Sequence, residues 1–182
     1  MREQEGEWPA LQGLPRELAR EILVRGPLQR RQLAARFRVS PATLTRTVSP
    51  LLASGVLIEL DDPEARGLGR PARLLDVPAS THTFVGIKLT DSAVHAVLTD
   101  LRATIRTSQT SSLVTSAPND VADAIAALVL DIGPDATAVG ISFGGATTDG
   151  RMVARAPFLQ WHDVALAELV EERSGLPTFL EN

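Results

Sequence analysis

The sequence of 182 residues contains no cysteine and no long apolar run. Without cysteine it has no disulfide framework, no cysteine-type zinc site and no thiol nucleophile. No segment approaches the roughly eighteen uncharged apolar residues of a membrane-spanning helix. The first eight residues are acidic and polar, so they do not form the basic and then apolar start of a secretory signal. We therefore expect a globular cytoplasmic protein with no membrane partner.

The net charge of −4 combines two blocks of opposite sign. Residues 1–76 carry twelve arginines and ten acidic residues, whereas residues 77–182 carry six basic and twelve acidic residues. Residues 22–58 contain six arginines and no acidic residue. Because a basic block joined to an acidic block indicates different partners, we predict two domains, over residues 1–78 and 79–182.

The basic block is predicted to fold as a winged helix-turn-helix. Apolar residues at helical spacing indicate one helix that ends near Gly26 and a second helix over residues 28–37. Ser40 is a favourable N-cap for a third helix. Two strand patterns, over residues 56–60 and 74–77, would form the hairpin of the wing.

Residues 32–46 resemble the helix-turn-helix signature itself. The tight turn usually uses glycine where this chain has Arg38, so Arg38 must adopt the turn geometry. The predicted wing tip, residues 67–73, is rich in glycine and arginine, which suits a minor-groove or phosphate contact. The alternatives are a solvated three-helix bundle with ordinary polar faces and a mobile hairpin tip.

The outward face of the third helix has the composition of a major-groove reader. Arginine binds guanine in bidentate fashion, and threonine methyl groups contact thymine. Arginines elsewhere in the block suit the phosphate contacts that supply much of the affinity for DNA. The predicted base contacts are Thr43, Thr45 and Arg46, the predicted phosphate or minor-groove contacts are Arg30, Arg31, Arg36, Arg70 and Arg73, and Ser40 and Ser49 complete the DNA-binding set.

The acidic block is predicted to alternate strands and helices. Its predicted elements are a meander of strands over residues 84–89, 94–98 and 104–110, a helix capped by Asn119 and Asp120, a strand over residues 136–143, a hairpin turn at Asp149 and Gly150, a helix capped by Asp163, and a strand over residues 178–180. This order indicates an α/β domain.

One motif of the acidic block suggests catalysis but lacks its context. Gly-Ile-Ser-Phe-Gly at residues 140–144 matches the nucleophile elbow of hydrolases, which requires a helix directly after the serine. A double glycine and a hairpin follow here instead, so we do not expect a hydrolase. His82, His95 and His162 are dispersed and show no metal-binding spacing. The sequence therefore predicts no catalytic residue, no metal site and no cofactor.

Nearly the whole chain resembles the ROK family of bacterial repressors and sugar kinases. Beyond the helix-turn-helix, the motifs in family order are Gly-Arg-Pro at residues 69–71, Val-Gly-Ile at 85–87, Gly-Ile-Ser-Phe-Gly-Gly at 140–145, Ala-Pro-Phe-Leu-Gln-Trp at 156–161, Gly-Leu-Pro at 175–177 and Glu-Asn at 181–182. The resemblance implies an actin-like (ribonuclease H-like), ATPase-type α/β domain, of which the first lobe is present. The predicted fold class is thus α+β, a winged helix-turn-helix followed by this lobe.

Departures from the kinase pattern of the family bear on activity. Lys88 stands where the kinases have aspartate, and Thr-Asp-Ser at residues 90–92 replaces their phosphate-binding Gly-Gly-Thr. A carboxylate in place of glycine repels phosphate and blocks the close approach of the backbone. The catalytic base of the kinases would follow Asn182, where this chain ends. The resemblance therefore implies a DNA-binding transcriptional repressor linked to sugar metabolism, and not an enzyme.

The resemblance also implies partners. Gly145 and Asn182 match sugar-side positions of the family, so they are candidate ligand-binding residues for a sugar or sugar-phosphate effector. Double-stranded operator DNA is the expected main partner, and winged-helix regulators usually act as dimers on two half-sites, so we expect a homo-oligomer. Two alternatives stay open: a glucokinase-like ROK sugar kinase, and a truncated fragment without function.

Overall fold

The computed structural model describes residues 11–63 and 73–182. The chain divides into two compact units, Met1–Ala79 and Ser80–Asn182. The predicted wing tip, with Arg70, lies outside the described residues. Within the described ranges, no helix is both long and apolar enough to cross a membrane.

Three helices build most of the first unit. They are α1 (Gly13–Arg25), α2 (Arg30–Phe37) and α3 (Pro41–Ala53). Each helix turns its apolar residues inward: Ile22 of α1, Leu33 of α2 and Val48 of α3 are fully buried. The apolar periodicity of the sequence therefore becomes the core of this unit.

The connection between α2 and α3 is tight and well capped. Arg38 has φ 52° and ψ 42°, the left-handed conformation that the sequence required of it. The backbone N–H of Val39 donates to the carbonyl of Ala34 (3.1 Å). The side chain of Ser40 accepts a hydrogen bond from the backbone N–H of Thr43 (3.1 Å), so its predicted role as an N-cap is confirmed.

A small antiparallel sheet completes the first unit. Its strands, in the order β1-β3-β2, are β1 (Leu28–Gln29), β2 (Ile58–Asp61) and β3 (Arg73–Asp76). The predicted start of the second helix at Leu28 is wrong, because Leu28 pairs with Leu75 of β3 and the helix begins only at Arg30. The predicted strand over residues 56–60 begins at Ile58, since the N–H of Leu57 is held by the carbonyl of Leu51 at the end of α3.

The second unit is a mixed α/β structure. Its elements are β4 (Thr83–Leu89), β5 (Ala93–Asp100), β6 (Ile105–Ser112), α4 (Pro118–Ile132), β7 (Ala138–Phe143), β8 (Ala146–Thr147), β9 (Val153–Ala156), β10 (Trp161–Val164), α5 (Leu166–Ser174) and β11 (Thr178–Glu181). The meander β4-β5-β6 is antiparallel as predicted, and β7 and β11 add in parallel to give the order β11-β7-β4-β5-β6.

Alternation along the strands places one face of this sheet in the core. On β4, Val85, Ile87 and Leu89 are buried, whereas Lys88 between them is exposed. The buried face packs with the apolar sides of α4 and α5, which include Ile125 and Val170. This core fixes the carboxyl ends of β7 and β11, which the predicted effector residues Gly145 and Asn182 follow.

Two predicted helix caps of the second unit are wrong. The helix α4 begins at Pro118 after Ala117, so Asn119 and Asp120 lie inside its first turn. Asp163 lies in strand β10 and has φ 51°. Because β10 pairs with β9, α5 begins only at Leu166. The predicted turn at Asp149 and Gly150 is confirmed: the carboxylate of Asp149 accepts from the N–H groups of residues 151 and 152, and Gly150 has φ 72°.

Candidate nucleic-acid interface and effector site

The outward face of α3 carries the predicted base-reading residues. Thr45, Arg46 and Ser49 are exposed, and Thr43 is partly buried against its cap. The hydroxyl of Ser49 donates to the carbonyl of Thr45 (2.8 Å). The guanidinium of Arg46 forms no ion pair with any residue of the described ranges. The face therefore offers short hydroxyl side chains around one unpaired arginine.

Two predicted phosphate contacts, Arg30 and Arg73, share one carboxylate. Arg30 donates to one oxygen of Glu59, and Nη1 of Arg73 donates to the other (3.0 Å). These hydrogen bonds, with that from Arg73 the larger cause, hold the pKa of Glu59 below its ordinary value. Asp61 lies at 4.0 Å from Nε of Arg73 and adds a further negative charge.

A second carboxylate, that of Glu21, forms an ion pair with the predicted phosphate contact Arg36. Oε1 of Glu21 lies 2.6 Å from Nη1 of Arg36 and 2.6 Å from Nε of Arg25. Glu21 and Glu59 flank the acid-free stretch in sequence and bind its arginines in space. The pairing of Glu21 with Arg25 follows from a spacing of four on a helix, but no sequence pattern marks Glu59 as a partner of Arg30.

The positive charge of Arg31 is not balanced by a carboxylate of the described residues. It is exposed on α2 and, as for Arg46, no described residue forms an ion pair with it. Of the ten predicted DNA-binding residues, Arg70 alone lies outside the described ranges. The basic surface is thus less positive than the arginine count of the sequence suggested.

The two predicted effector residues meet in the second unit. Nδ2 of Asn182 donates to the carbonyl oxygen of Gly145 (3.1 Å). Asn182 follows β11, whose first N–H, of Thr178, donates to Glu171 (2.8 Å). The pKa of Glu171 lies below its ordinary value, mainly because Arg151 donates to the carboxylate and secondly because the N–H of Thr178 does. The charged carboxylate therefore ties α5 to β11.

Gly145 also has a packing reason to be glycine. A Cβ atom at this position would lie 2.2 Å from the carbonyl oxygen of Arg155 and 2.8 Å from the ring of Phe143. The backbone of β9 therefore passes too close to residue 145 for any side chain. The same packing presents the Gly145 carbonyl to Asn182.

A cleft of about 260 Å³ opens at the carboxyl ends of β4 and β7, and Gly144, next to Gly145 in the chain, is in its lining. It is lined by Lys88, Leu89, Thr90, Asp91, Gly144 and Phe158. The turn after β4 is closed by the hydroxyl of Thr90, which accepts from the N–H of Ala93 (3.0 Å). The serine of the elbow motif, Ser142, lies within β7 and pairs in register with Lys88 and Glu181, so it is not on a strand-to-helix turn.

Known proteins resemble the chain across both units. No protein-family model matches it. The xylose repressor of Bacillus subtilis is 24% identical over 172 residues, which cover 91% of this chain and 44% of that repressor. The DNA-binding transcriptional repressor Mlc of Escherichia coli is 23% identical over 166 residues, covering 86% of this chain and 41% of Mlc. The homologues of this chain are ROK-family transcriptional regulators.

A solved ROK regulator has the same fold. The crystal structure of a ROK-family transcriptional regulator, a homologue of Mlc, matches 90% of this chain with a TM-score of 0.68 at 20% identity. The matched part is 44% of that regulator. The chain thus spans less than half the length of the ROK regulators that it matches.

Proposed function

We propose that this chain acts as a DNA-binding transcriptional repressor of ROK type. The first unit would be a winged helix-turn-helix with α3 as its recognition helix. The observation that carries this proposal is the exposed face of α3, where Arg46 stands unpaired beside Thr45 and Ser49. That its homologues include proteins named as repressors supports the same reading.

In the proposed complex, α3 lies in the major groove of the operator. Arg46 would bind the O6 and N7 atoms of guanine, and Thr43 and Thr45 would contact neighbouring bases. Ser40 and Ser49 would border this contact at the two ends of the exposed face. Base contacts of this kind are what distinguish an operator from other DNA.

Phosphate contacts would fix the position of α3 in the groove. Arg31 has its whole charge available for a phosphate, whereas Arg30, Arg36 and Arg73 share theirs with carboxylates. Arg70 belongs to the same proposed set. These contacts supply affinity that does not depend on sequence.

The second unit would sense a sugar or sugar-phosphate. The amide of Asn182 and the carbonyl of Gly145 lie together, next in the chain to Gly144 of the cleft lining, and such groups hydrogen-bond hydroxyl groups well. Asp91 in the turn after β4 disfavours a nucleotide phosphate there, so the proposal includes no phosphoryl transfer. Two copies of the protein would bind two half-sites of one operator.

The change Arg46→Ala tests the proposal. A DNA sequence selected from a random library with the wild-type protein serves as the operator, and a random-sequence duplex serves as the reference. Loss of one bidentate base contact costs about 1–3 kcal/mol, so we expect a loss of about 5- to 150-fold on the selected sequence. Fluorescence anisotropy titrations measure both affinities.

The matched control is Arg20→Ala. Arg20 is exposed on α1 and has no ion pair with a described residue, so its loss removes the same charge from a different helix. We expect the control to weaken binding to both duplexes slightly and equally. Equal losses for Arg46→Ala on both duplexes would contradict base readout by α3.

A further inference from the structure

Glu59 forms ion pairs with two arginines of the proposed DNA surface at once. Each of its oxygens accepts from one guanidinium, that of Arg30 at the start of α2 and that of Arg73 at the start of β3. The carboxylate is 24% exposed and the arginines 35% and 52%, so all three groups reach solvent. Glu59 cancels one of the two positive charges of these arginines, and Asp61, 4.0 Å from Nε of Arg73, adds a second negative charge beside them.

The same arrangement recurs at Glu21. One of its oxygens contacts Arg25 and Arg36, again a single carboxylate between two arginines. The two clusters hold three of the six arginines between residues 22 and 58, namely Arg25, Arg30 and Arg36, together with Arg73 of β3. Arg46, the proposed base contact, is in neither cluster. The carboxylates therefore pair with arginines that are not proposed to contact bases.

Carboxylates beside phosphate-binding arginines act on the phosphate contacts and not on the base contacts. A phosphate that approaches Arg30 or Arg73 meets the like charge of Glu59, which weakens the contact on any sequence. On an operator the base contacts of α3 are made in addition, but random DNA has only the phosphate contacts. Glu59 therefore lowers the part of the affinity that does not depend on sequence, on operator and random DNA alike, and leaves the base contacts of α3 unchanged.

We propose that Glu59, and in the same way Glu21, limits the sequence-independent affinity of the first unit for DNA phosphates. This inference rests on the proposed function of the first unit. Glu59 does so by cancelling one positive charge of the Arg30 and Arg73 pair. Discrimination is thereby left to Arg46 and its neighbours on α3.

The variant Glu59→Gln removes the charge and keeps the shape of the side chain. We expect it to bind a random-sequence duplex more tightly than the wild type does. The slope of log K against log salt should steepen by about 0.9, the value for one added phosphate contact. Between about 50 and 200 mM salt, the advantage of the variant over the wild type should then shrink about 3.5-fold. The operator should gain by about the same factor, so the ratio of operator to random-duplex affinity should stay unchanged.

The matched control is Glu17→Gln on α1. Glu17 is exposed and pairs with no described residue, so the change in net charge is the same but no arginine pair is released. We expect its salt slope to equal that of the wild type. An equal gain in affinity for both variants would overturn the inference, because net charge alone would explain it.

The outcomes separate the inference from the proposed function. A wild-type protein that binds no duplex defeats the proposed function. A wild type that binds, with a Glu59→Gln variant of unchanged or weaker affinity for random DNA, defeats the inference alone. Circular dichroism verifies that the Glu59→Gln variant folds. If that variant does not fold, Glu21→Gln, which frees Arg25 and Arg36, must show the steeper salt slope. An unchanged salt slope for Glu21→Gln then overturns the inference.

Discussion

Two single residues show how backbone geometry selects side chains in this protein. Arg38 adopts a left-handed conformation in the turn before α3, where glycine is the usual residue. Gly145 does not have a positive φ; it is constrained by the carbonyl oxygen of Arg155, which leaves no room for a Cβ atom. The first constraint is conformational and the second is steric, and only the first can be read from a sequence motif.

At this scale the variant Gly145→Ala should destabilise the second unit. The added methyl group would lie 2.2 Å from a backbone oxygen that belongs to a paired strand and cannot move away cheaply. Overpacking of this kind costs about 1–3 kcal/mol. Urea denaturation followed by circular dichroism measures the change in the free energy of unfolding.

The neighbouring glycine supplies the comparison. A Cβ atom at Gly144 would meet only the ring of Phe158, at 3.8 Å, which is an ordinary contact distance. The variant Gly144→Ala should therefore change stability by less than about 0.5 kcal/mol. Equal destabilisation by the two variants would contradict the steric reason given for Gly145.

Among the elements, α3 depends on a local signal that the sequence displays. Its N-cap, Ser40, and the proline at its first position are adjacent in the chain, and its buried residues recur at helical spacing. Strand β10 is the opposite case. It has no strand signal of its own and forms because it pairs with β9, with Trp161 buried and its Nε1 donating to the carbonyl of Ser116 (2.6 Å).

The variant Ser40→Ala should weaken α3. It removes the acceptor for the backbone N–H of Thr43, and loss of an N-cap of this type costs about 1 kcal/mol. Thermal and urea unfolding should both detect the loss. The replacement Ser40→Asp, which keeps an acceptor at the cap, should retain most of the stability.

A second serine of α3 tests whether the expected loss of stability in Ser40→Ala is due to the N-cap hydrogen bond. The hydroxyl of Ser49 donates to the carbonyl of Thr45, a carbonyl that a helix already satisfies through its backbone. We expect Ser49→Ala to be nearly neutral. If Ser49→Ala lowered the free energy of unfolding as much as Ser40→Ala does, the role given to the cap would be refuted.

For the molecule as a whole, the two units have separate sets of buried residues. Leu44 of α3 is 1% exposed and packs in the first unit, whereas Ile125 of α4 is fully buried in the cluster of the second unit. A compact unit with its own core is able to unfold on its own. Substitutions in one core should therefore act on that core.

The variants Leu44→Ala and Ile125→Ala test this separation. Each should cost about 2–5 kcal/mol of local stability, since each removes a buried aliphatic side chain. Hydrogen exchange measured by mass spectrometry should show faster exchange in α1, α2 and α3 for the first variant. For the second variant it should show faster exchange in α4 and strands β4 to β7. Loss of protection throughout the chain from either variant would contradict independent cores.

The sequence by itself determined what depends on neighbouring residues. Helical and strand periodicity located α1, α3, the meander and β7, and local hydrogen bonds made Ser40 a cap and residues 149–150 a turn. These features follow from interactions between residues a few positions apart, so they leave a pattern in the chain. The predicted base-reading face of α3 belongs to the same class.

Only the tertiary structure decided which distant groups meet. Arg30 and Glu59 are separated by 29 positions, and Asn182 and Gly145 by 37. Strand β1 exists because it pairs with β3, although its two residues read as part of a helix. Coulomb attraction and hydrogen bonding act over a few ångströms in space whatever the separation along the chain, so an acid-free stretch of sequence still acquires carboxylate partners when the chain folds.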